Sequence, residues 1–139
     1  MTEEIFEAIR RRVAEEPYAE KMGLKLVEVA EGYALVEMRF TEEMENIFGM
    51  AHGGAIFSLI DEAFEVASNS HGTVSVALSM SVTYVSSPKK GETLQAEAEE
   101  VSRSNRIATY DIRVKTAGGS LIAICQALVY RKRDPLPFI

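Results

Sequence analysis

"NIFGMAHGGAIFSLIDEAFEVAS", residues 46–68, contains the segment that determines the fold. From Gly53 onward its apolar side chains recur every three or four residues, which is the period of an α-helix. These apolar positions are Ile56, Leu59, Ile60, Ala63, Phe64 and Ala67. Because the apolar face is wide, we predict one long buried helix at about residues 53–69. A helix this apolar must be covered by other secondary structure.

Strand patterns flank the central helix on both sides. Before it, residues 24–30 and the alternating segment "YALVEMRF" (33–40) predict a β-hairpin. After it, four segments rich in alternating or β-branched residues predict four strands in an antiparallel meander. Residues 2–16 predict a surface helix, and Pro17 is expected to end it or to open a short irregular turn. The predicted fold class is α+β, with an antiparallel sheet wrapped around one helix.

Length and composition narrow the class of protein. The chain has 139 residues, 47% of them hydrophobic and 26% charged, which predicts a single globular domain over residues 1–139. Its net charge of −6 argues against a nucleic-acid binder, and no apolar run approaches the ~18–20 residues of a membrane span. The acidic start lacks the pattern of a secretory signal, so we expect a cytoplasmic protein. The single cysteine, Cys125, excludes an intramolecular disulfide and is expected to be packed in a strand.

The central helix begins with His52, Gly53 and Gly54. The first N–H groups of a helix lack intrahelical acceptors and lie at the positive end of its dipole. Since glycine has no side chain, a carbonyl oxygen can approach the Gly53 N–H closely, which is the geometry of a one-donor oxyanion site. The alternative is that the glycines only let a strand cross close to the helix. His52 itself could cap the helix or orient the loop.

Asp61 is the acidic residue of this helix that could act on a bound electrophile. It falls in a polar stripe at helical spacing, made up of Ser58, Asp61, Glu65 and Ser68. A carboxylate there can serve as a nucleophile or a general base, whereas the alternative is a solvated helix face. Glu62 points about 100° away, so the two acids do not form a facing pair. His71, followed by Gly72, is expected to cap the C-terminal end of the helix.

The spacing of these residues resembles the signature of hotdog-fold acyl-CoA thioesterases of the phenylacetic acid degradation (PaaI-like) type. The shared pattern is Asn46-x-x-Gly49-x-x-His52-Gly53-Gly54, followed by Leu59 and Asp61. The resemblance covers about residues 20–132, which leaves the N-terminal helix of residues 1–20 outside it. It implies a hotdog fold and the hydrolysis of an acyl- or aryl-acyl-CoA thioester to the free acid and coenzyme A.

The same resemblance implies a role for each residue of the pattern. The Gly53 N–H would polarise the thioester carbonyl, with Gly54 beside the bound substrate. Asp61 of the other subunit would attack that carbonyl or activate water. Asn46 would help to place the attacking group or the thioester, and His52 would support the loop.

Substrate binding beyond the thioester is expected to involve the strand after the helix and two basic loops. Relatives often carry Ser or Thr where we align Ala77, so Ser75 or Ser79, expected on the same strand face, could supply that hydroxyl. Coenzyme A carries phosphates, which an acidic protein must meet with a local basic patch. The candidates are Lys89, Lys90, Arg103 and Arg106, each of which could also be an ordinary solvated charge. No metal and no cofactor besides the coenzyme A of the substrate is expected.

Both faces of the last strand are apolar, which predicts a homo-oligomer, either a dimer or a pair of dimers. Two other functions stay open. A hotdog hydratase or dehydratase usually has a His about five residues after the Asp, where this chain has Val66. A non-catalytic acyl-CoA-binding module in a transcription regulator normally follows a helix-turn-helix, for which residues 1–20 are too few and too acidic.

Overall fold

The computed structural model describes residues 2–139, so Met1 of the predicted domain lies outside the described residues. This range contains the helices α1 (Thr2–Ala14), α2 (Pro17–Met22) and α3 (Gly53–Asn69). Its strands are β1 (Lys25–Ala30), β2 (Tyr33–Arg39), β3 (Thr73–Tyr84), β4 (Thr93–Arg103), β5 (Ile107–Thr116) and β6 (Leu121–Pro135). A 3₁₀ turn at Glu42–Met44 lies between β2 and α3.

The N-terminal segment forms two helices rather than the single helix predicted over residues 2–16. Of the two roles expected for Pro17, the end of the first helix agrees with α1 ending at Ala14, whereas the irregular turn is not found because Pro17 occupies the first turn of α2. Proline fits this position because the first N–H groups of a helix have no intrahelical acceptor in any case. α1 packs against β1 and buries Phe6 and Ile9.

The strands form one antiparallel sheet in the order β1-β2-β4-β5-β6-β3. The part β4-β5-β6 is the predicted meander. β3, however, pairs with β6 at the edge of the sheet and not with β4, so the prediction of a four-strand meander is wrong for β3. The reason is that α3 carries the chain across the face of the sheet before β3 begins, which places β3 at the far edge.

α3 packs on one face of this sheet and forms the centre of the core. Its side chains Leu59, Ile60 and Ala63 are fully buried, and the helix contacts all six of the described strands. The sheet residues that are also fully buried include Ala34, Val36, Leu94, Ala96, Ala98, Ile112, Val114 and Ala123. The α+β fold class with a sheet around one long helix is thus confirmed. Cys125 is buried as expected, and burial raises the pKa of its thiol to about 11. No helix within residues 2–139 is long and apolar enough to cross a membrane.

Candidate active site

His52 caps the N-terminal end of α3, which is one of the two roles that the sequence left open. Its Nδ1 accepts a hydrogen bond from the Gly54 N–H at 2.9 Å. Its carbonyl oxygen accepts the N–H groups of Ala55 and Ile56, at 3.0 and 3.3 Å. The Gly53 N–H is unpaired, because it donates to no acceptor within residues 2–139. One backbone donor at the positive end of the helix dipole is therefore free for a ligand.

Gly53 is also closely packed, against a residue that the sequence analysis missed. The Tyr84 hydroxyl donates to the Gly53 carbonyl oxygen at 3.1 Å. A Cβ on Gly53 would lie 3.3 Å from Tyr84 Cζ, and one on Gly54 would lie 3.1 Å from His52 Nδ1. The close approach of a strand, which was the alternative explanation of the glycines, is thus present. It leaves the Gly53 N–H free, so the two explanations are compatible.

Asn46 lies beside Gly53, in a loop that its own side chain stabilises. Its Oδ1 accepts the N–H groups of Phe48 at 2.8 Å and of Met50 at 3.1 Å. Its Nδ2 has no acceptor among the described residues. Asn46, Gly53 and Tyr84 line a cleft of about 410 Å³. The structure therefore brings two of the predicted site residues, Asn46 and Gly53, together as possible hydrogen-bond donors.

Asp61 does not reach this cleft within the same chain. It lies eight residues after Gly53, or about 12 Å along the helix axis at 1.5 Å per residue. The side chain is exposed in the single chain. Partial burial of its carboxyl group nevertheless raises its pKa above the ordinary value, and the negative charge of Glu16 adds to the rise. A single chain thus separates the proposed carbonyl-polarising donor from the proposed carboxylate.

The polar stripe predicted along α3 is only half exposed. Asp61 and Glu65 reach solvent, whereas Ser58 and Ser68 are buried. Ser58 is accommodated because its hydroxyl donates to the carbonyl of the preceding helical turn at 2.9 Å. Glu62, which was expected only to point away from Asp61, is buried as well.

The comparisons with known proteins identify the family. Residues 48–123, more than half of the chain, match the model of the thioesterase superfamily. The chain belongs to the thioesterase superfamily. The matched region contains His52, Gly53 and Asp61, so it includes most of the pattern on which the predicted family rested.

Individual relatives extend the match beyond this region. A protein of Archaeoglobus fulgidus is 44% identical over 118 residues, which are 85% of this chain and 77% of that protein. Acyl-coenzyme A thioesterase PaaI of Escherichia coli K12 is 31% identical over 113 residues, which are 81% of each chain. The solved structure of E. coli PaaI, from the phenylacetic acid degradation operon, superposes with a TM-score of 0.91 at 26% identity, covering 96% of this chain and 97% of that one. A Streptococcus mutans protein solved with acetyl-CoA superposes with a TM-score of 0.77 at 26% identity, over 81% of this chain and 91% of that one. The predicted family and hotdog fold are confirmed.

A β-bulge between Ala77 and Ser79 determines which residues of β3 lie on the same face of the sheet as Ala77. Ala77 pairs with Val129, which is buried on the helix side of the sheet, whereas Ser79 pairs with Leu128 on the other side. Paired residues point to the same face, so the prediction that Ser79 shares a face with Ala77 is wrong. Ser75 does share that face, and its buried Oγ has no hydrogen-bond partner among the described residues.

The four basic residues predicted to meet phosphates do not form one patch within a chain. Lys89 and Lys90 lie between β3 and β4. Lys90 Nζ is 3.9 Å from Oε2 of Glu45, and Glu45 directly precedes the loop that lines the cleft. Arg103 and Arg106 flank the turn between β4 and β5, and Arg103 lies near the C-terminal end of α3, about 25 Å from its start. The lysines are thus the basic residues near the cleft of the same chain.

The C-terminal end of α3 is held by a network that differs from the predicted cap. The capping residue is Ser70, so the expectation that His71 caps the helix is wrong. Instead His71 Nε2 lies 2.7 Å from Glu100 Oε1, which also accepts the Tyr110 hydroxyl at 2.7 Å. Arg103 contacts the His71 ring. Burial and the Glu100 carboxylate raise the Tyr110 pKa, while the hydrogen bonds from His71 and Tyr110 outweigh the effect of burial and lower the Glu100 pKa.

Proposed function

We propose that this protein hydrolyses acyl-CoA thioesters, releasing a carboxylic acid and coenzyme A. The observation that carries the proposal is the free Gly53 N–H beside the Asn46 amide in one cleft. Membership of the thioesterase superfamily, with an E. coli relative named as an acyl-CoA thioesterase, supports the same activity. Hydrolysis needs only water as its second reactant, so we propose that no cofactor takes part besides the coenzyme A of the substrate.

In this mechanism the thioester carbonyl oxygen accepts the Gly53 N–H at the positive end of α3. This hydrogen bond and the helix dipole stabilise the negative charge that the oxygen gains when the carbonyl carbon is attacked. Asp61 either attacks that carbon, which breaks the C–S bond and forms an acyl-enzyme anhydride that water then cleaves, or removes a proton from a water that attacks the carbon and breaks the same bond. In both routes coenzyme A leaves as the thiolate and takes up a proton. Asn46 Nδ2 donates to the thioester or to the attacking group, and His52 holds the loop and the helix start.

We propose that each site combines Gly53 of one chain with Asp61 of another. The separation of about 12 Å along α3 supports a second chain, because the two groups must act on the same carbonyl carbon. Two apolar surfaces of the monomer are available to bind that chain. The loop next to Asn46 exposes Ile47 and Phe48, by 93% and 77%, and the edge strand β3 exposes Leu78. Unpaired strand edges and exposed apolar side chains are typical of protein interfaces, which supports a homodimer and a tetramer of paired dimers.

The phosphates of coenzyme A are proposed to meet Lys89 and Lys90 from the chain that supplies the cleft, and Arg103 and Arg106 from the partner. The wide separation of the two pairs within one chain supports this division. A cytoplasmic location belongs to the same proposal, since acyl-CoA thioesters are intracellular metabolites.

The test is a thiol-release assay across acyl-CoA thioesters with short, medium, long and aromatic acyl groups, combined with light scattering of the purified protein. We expect turnover of at least one thioester by an oligomer. Binding of acyl-CoA without thiol release would instead identify a binding module. An active, stable monomer would overturn the two-chain site while leaving the hydrolase activity in place.

A further inference from the structure

A cluster of three carboxyl groups lies beside α3 that the hydrolysis mechanism does not use. Glu16 comes from the connection between α1 and α2, and Glu62 and Glu65 lie one turn apart on α3. One carboxylate oxygen from each residue can be chosen so that all three oxygens lie within 4.8 Å of one another. Residues 46 to 49 positions apart along the chain thus bring three carboxyl groups together.

The burial of Glu62 makes this cluster different from an ordinary acidic surface. Its side chain is 4% exposed, and its Oε2 has no hydrogen-bond partner among the described residues. The Glu62 carboxyl group faces those of Glu16 and Glu65, which can only accept hydrogen bonds when ionised. A buried carboxylate without a donor is costly, and two neighbouring acids increase the cost.

No positive side chain in the described part of the molecule forms an ion pair with this cluster. None of the three acids forms an ion pair within 4.0 Å with a lysine, arginine or histidine of residues 2–139. Arg12, which lines the neighbouring cleft together with Glu16 and Glu65, also makes no such pair. The cluster therefore has the acceptors of a cation site without an internal cation.

We propose that Glu16, Glu62 and Glu65 bind a hard divalent cation of the Mg²⁺, Mn²⁺ or Ca²⁺ type. Such ions prefer carboxylate oxygens, and two oxygens on one ion lie at most about 4–5 Å apart, twice the metal–oxygen distance. The separations in the cluster fit this limit. Glu65 is exposed and Glu16 partly exposed, so water can fill the remaining coordination positions.

The consequence of binding would be structural. An ion held by Glu16 and by two residues of α3 joins the N-terminal helices to the central helix. A ligand that binds only the folded state stabilises it, so the unfolding temperature should be higher when the ion is present. This proposal is independent of thioester hydrolysis, and its test does not use the enzyme assay.

The test is Mn²⁺ binding to the full-length protein after removal of metals with a chelator, followed by calorimetry and thermal unfolding at constant ionic strength. We expect one Mn²⁺ per chain and a higher unfolding temperature with Mn²⁺ than with added NaCl. Glu62→Gln and Glu65→Gln should each weaken binding by about tenfold or more, since a charged ligand is lost. Glu15→Gln is the matched control, because Glu15 is exposed and adjacent to Glu16.

Two glutamine variants are used so that the test still has a result if one of them misfolds. Glu62→Gln replaces a buried carboxyl group with an amide of similar size, and Glu65→Gln alters an exposed side chain, so at least the second should fold normally. Absence of Mn²⁺ binding at millimolar concentrations would overturn the proposal and leave Glu62 as a protonated buried acid. Equal affinity in wild type, Glu65→Gln and Glu15→Gln would overturn it as well, because the ion would then bind elsewhere.

Discussion

The two ends of α3 differ in how far their polar groups are already paired. At the N-terminal end, the Gly53 N–H and the Asn46 Nδ2 have no acceptor within the described range, and both adjoin a cleft. At the C-terminal end, His71 and Tyr110 are both hydrogen-bonded to Glu100 Oε1. An unpaired hydrogen-bond donor lowers stability unless a ligand accepts its hydrogen bond. A network whose polar groups are all paired mainly stabilises the fold. The contrast predicts that substitutions at the first end reduce catalysis and substitutions at the second reduce stability.

The largest effect is expected for Asp61→Asn, which tests whether the Asp61 carboxylate takes part in hydrolysis at the N-terminal end of α3. Asparagine keeps the size of the side chain but cannot attack the carbonyl or accept a proton from water. We expect kcat for the best acyl-CoA to fall by about 10²–10⁴, with the oligomer intact by light scattering. Glu15→Gln serves as the control for loss of a surface charge. A near wild-type kcat for Asp61→Asn would remove Asp61 from the mechanism.

Gly53→Ala is expected to have the next largest effect. The new Cβ would lie 3.3 Å from Tyr84 Cζ, so the ring or the helix start must shift. A displaced N–H stabilises the oxyanion less well, and we expect kcat to fall about ten- to a hundredfold. Gly118→Ala is the matched control, because its nearest neighbour would be at an ordinary contact distance of 3.8 Å. Equal kcat values for the two variants would contradict the role of the Gly53 N–H.

Asn46→Asp separates the two functions of this side chain. The aspartate oxygen can still accept the N–H groups of Phe48 and Met50, so the loop should keep its conformation. The Nδ2 donor is lost, and we expect kcat/KM to fall by about tenfold with an unchanged unfolding temperature. Thiol release and thermal unfolding measure the two quantities. A variant that unfolds earlier but keeps its kcat/KM would show that Asn46 only stabilises the loop.

A smaller effect is expected when the charges of Lys89 and Lys90 are removed together. If these lysines meet the phosphates of coenzyme A, the double alanine variant should raise KM a few-fold, about 1 kcal/mol of binding, and change kcat little. Thioesters that lack the nucleotide should not be affected. Lys25→Ala, at an exposed position in β1, is the control. Equal changes in KM for both kinds of substrate would contradict phosphate contact.

Much of this architecture could be predicted from local sequence patterns. The apolar period of α3 and the alternation in β2 are local, and both elements lie where they were expected. The pairing of β3 with β6 depends on the path of α3 across the sheet. The pattern of residues within β3 carries no information about that path. The bulge between Ala77 and Ser79 is equally invisible, and it reverses every later side chain of the strand.

The candidate site was predictable only in part, for the same reason. Asn46, His52 and Gly53 are close in sequence, so their spacing already indicates a common site. Tyr84 contacts Gly53 although it lies 31 residues further along the chain. The only sequence feature that could have indicated this contact is an aromatic residue at the end of the strand after the helix. The helical period gave the direction of Glu62 relative to Asp61 correctly, but not its burial near Glu16, because that contact depends on how the N-terminal helices fold back.

The smallest effect on catalysis is expected for Tyr110→Phe, which tests the other end of the comparison. The substitution removes the hydroxyl that donates to Glu100 Oε1 but keeps the ring, whose edge-to-face contact with Phe64 has a centroid distance of 5.6 Å. We expect the free energy of unfolding in urea to fall by about 1–2 kcal/mol, as for a buried hydrogen bond to a charged group. kcat should stay within about twofold of wild type, because the network is far from the cleft along α3. Tyr33→Phe is the control, since its hydroxyl donates to Glu97 at an exposed site. A loss of kcat comparable to that of Asn46→Asp would mean that the C-terminal network also supports catalysis, and the division between the two ends would fail.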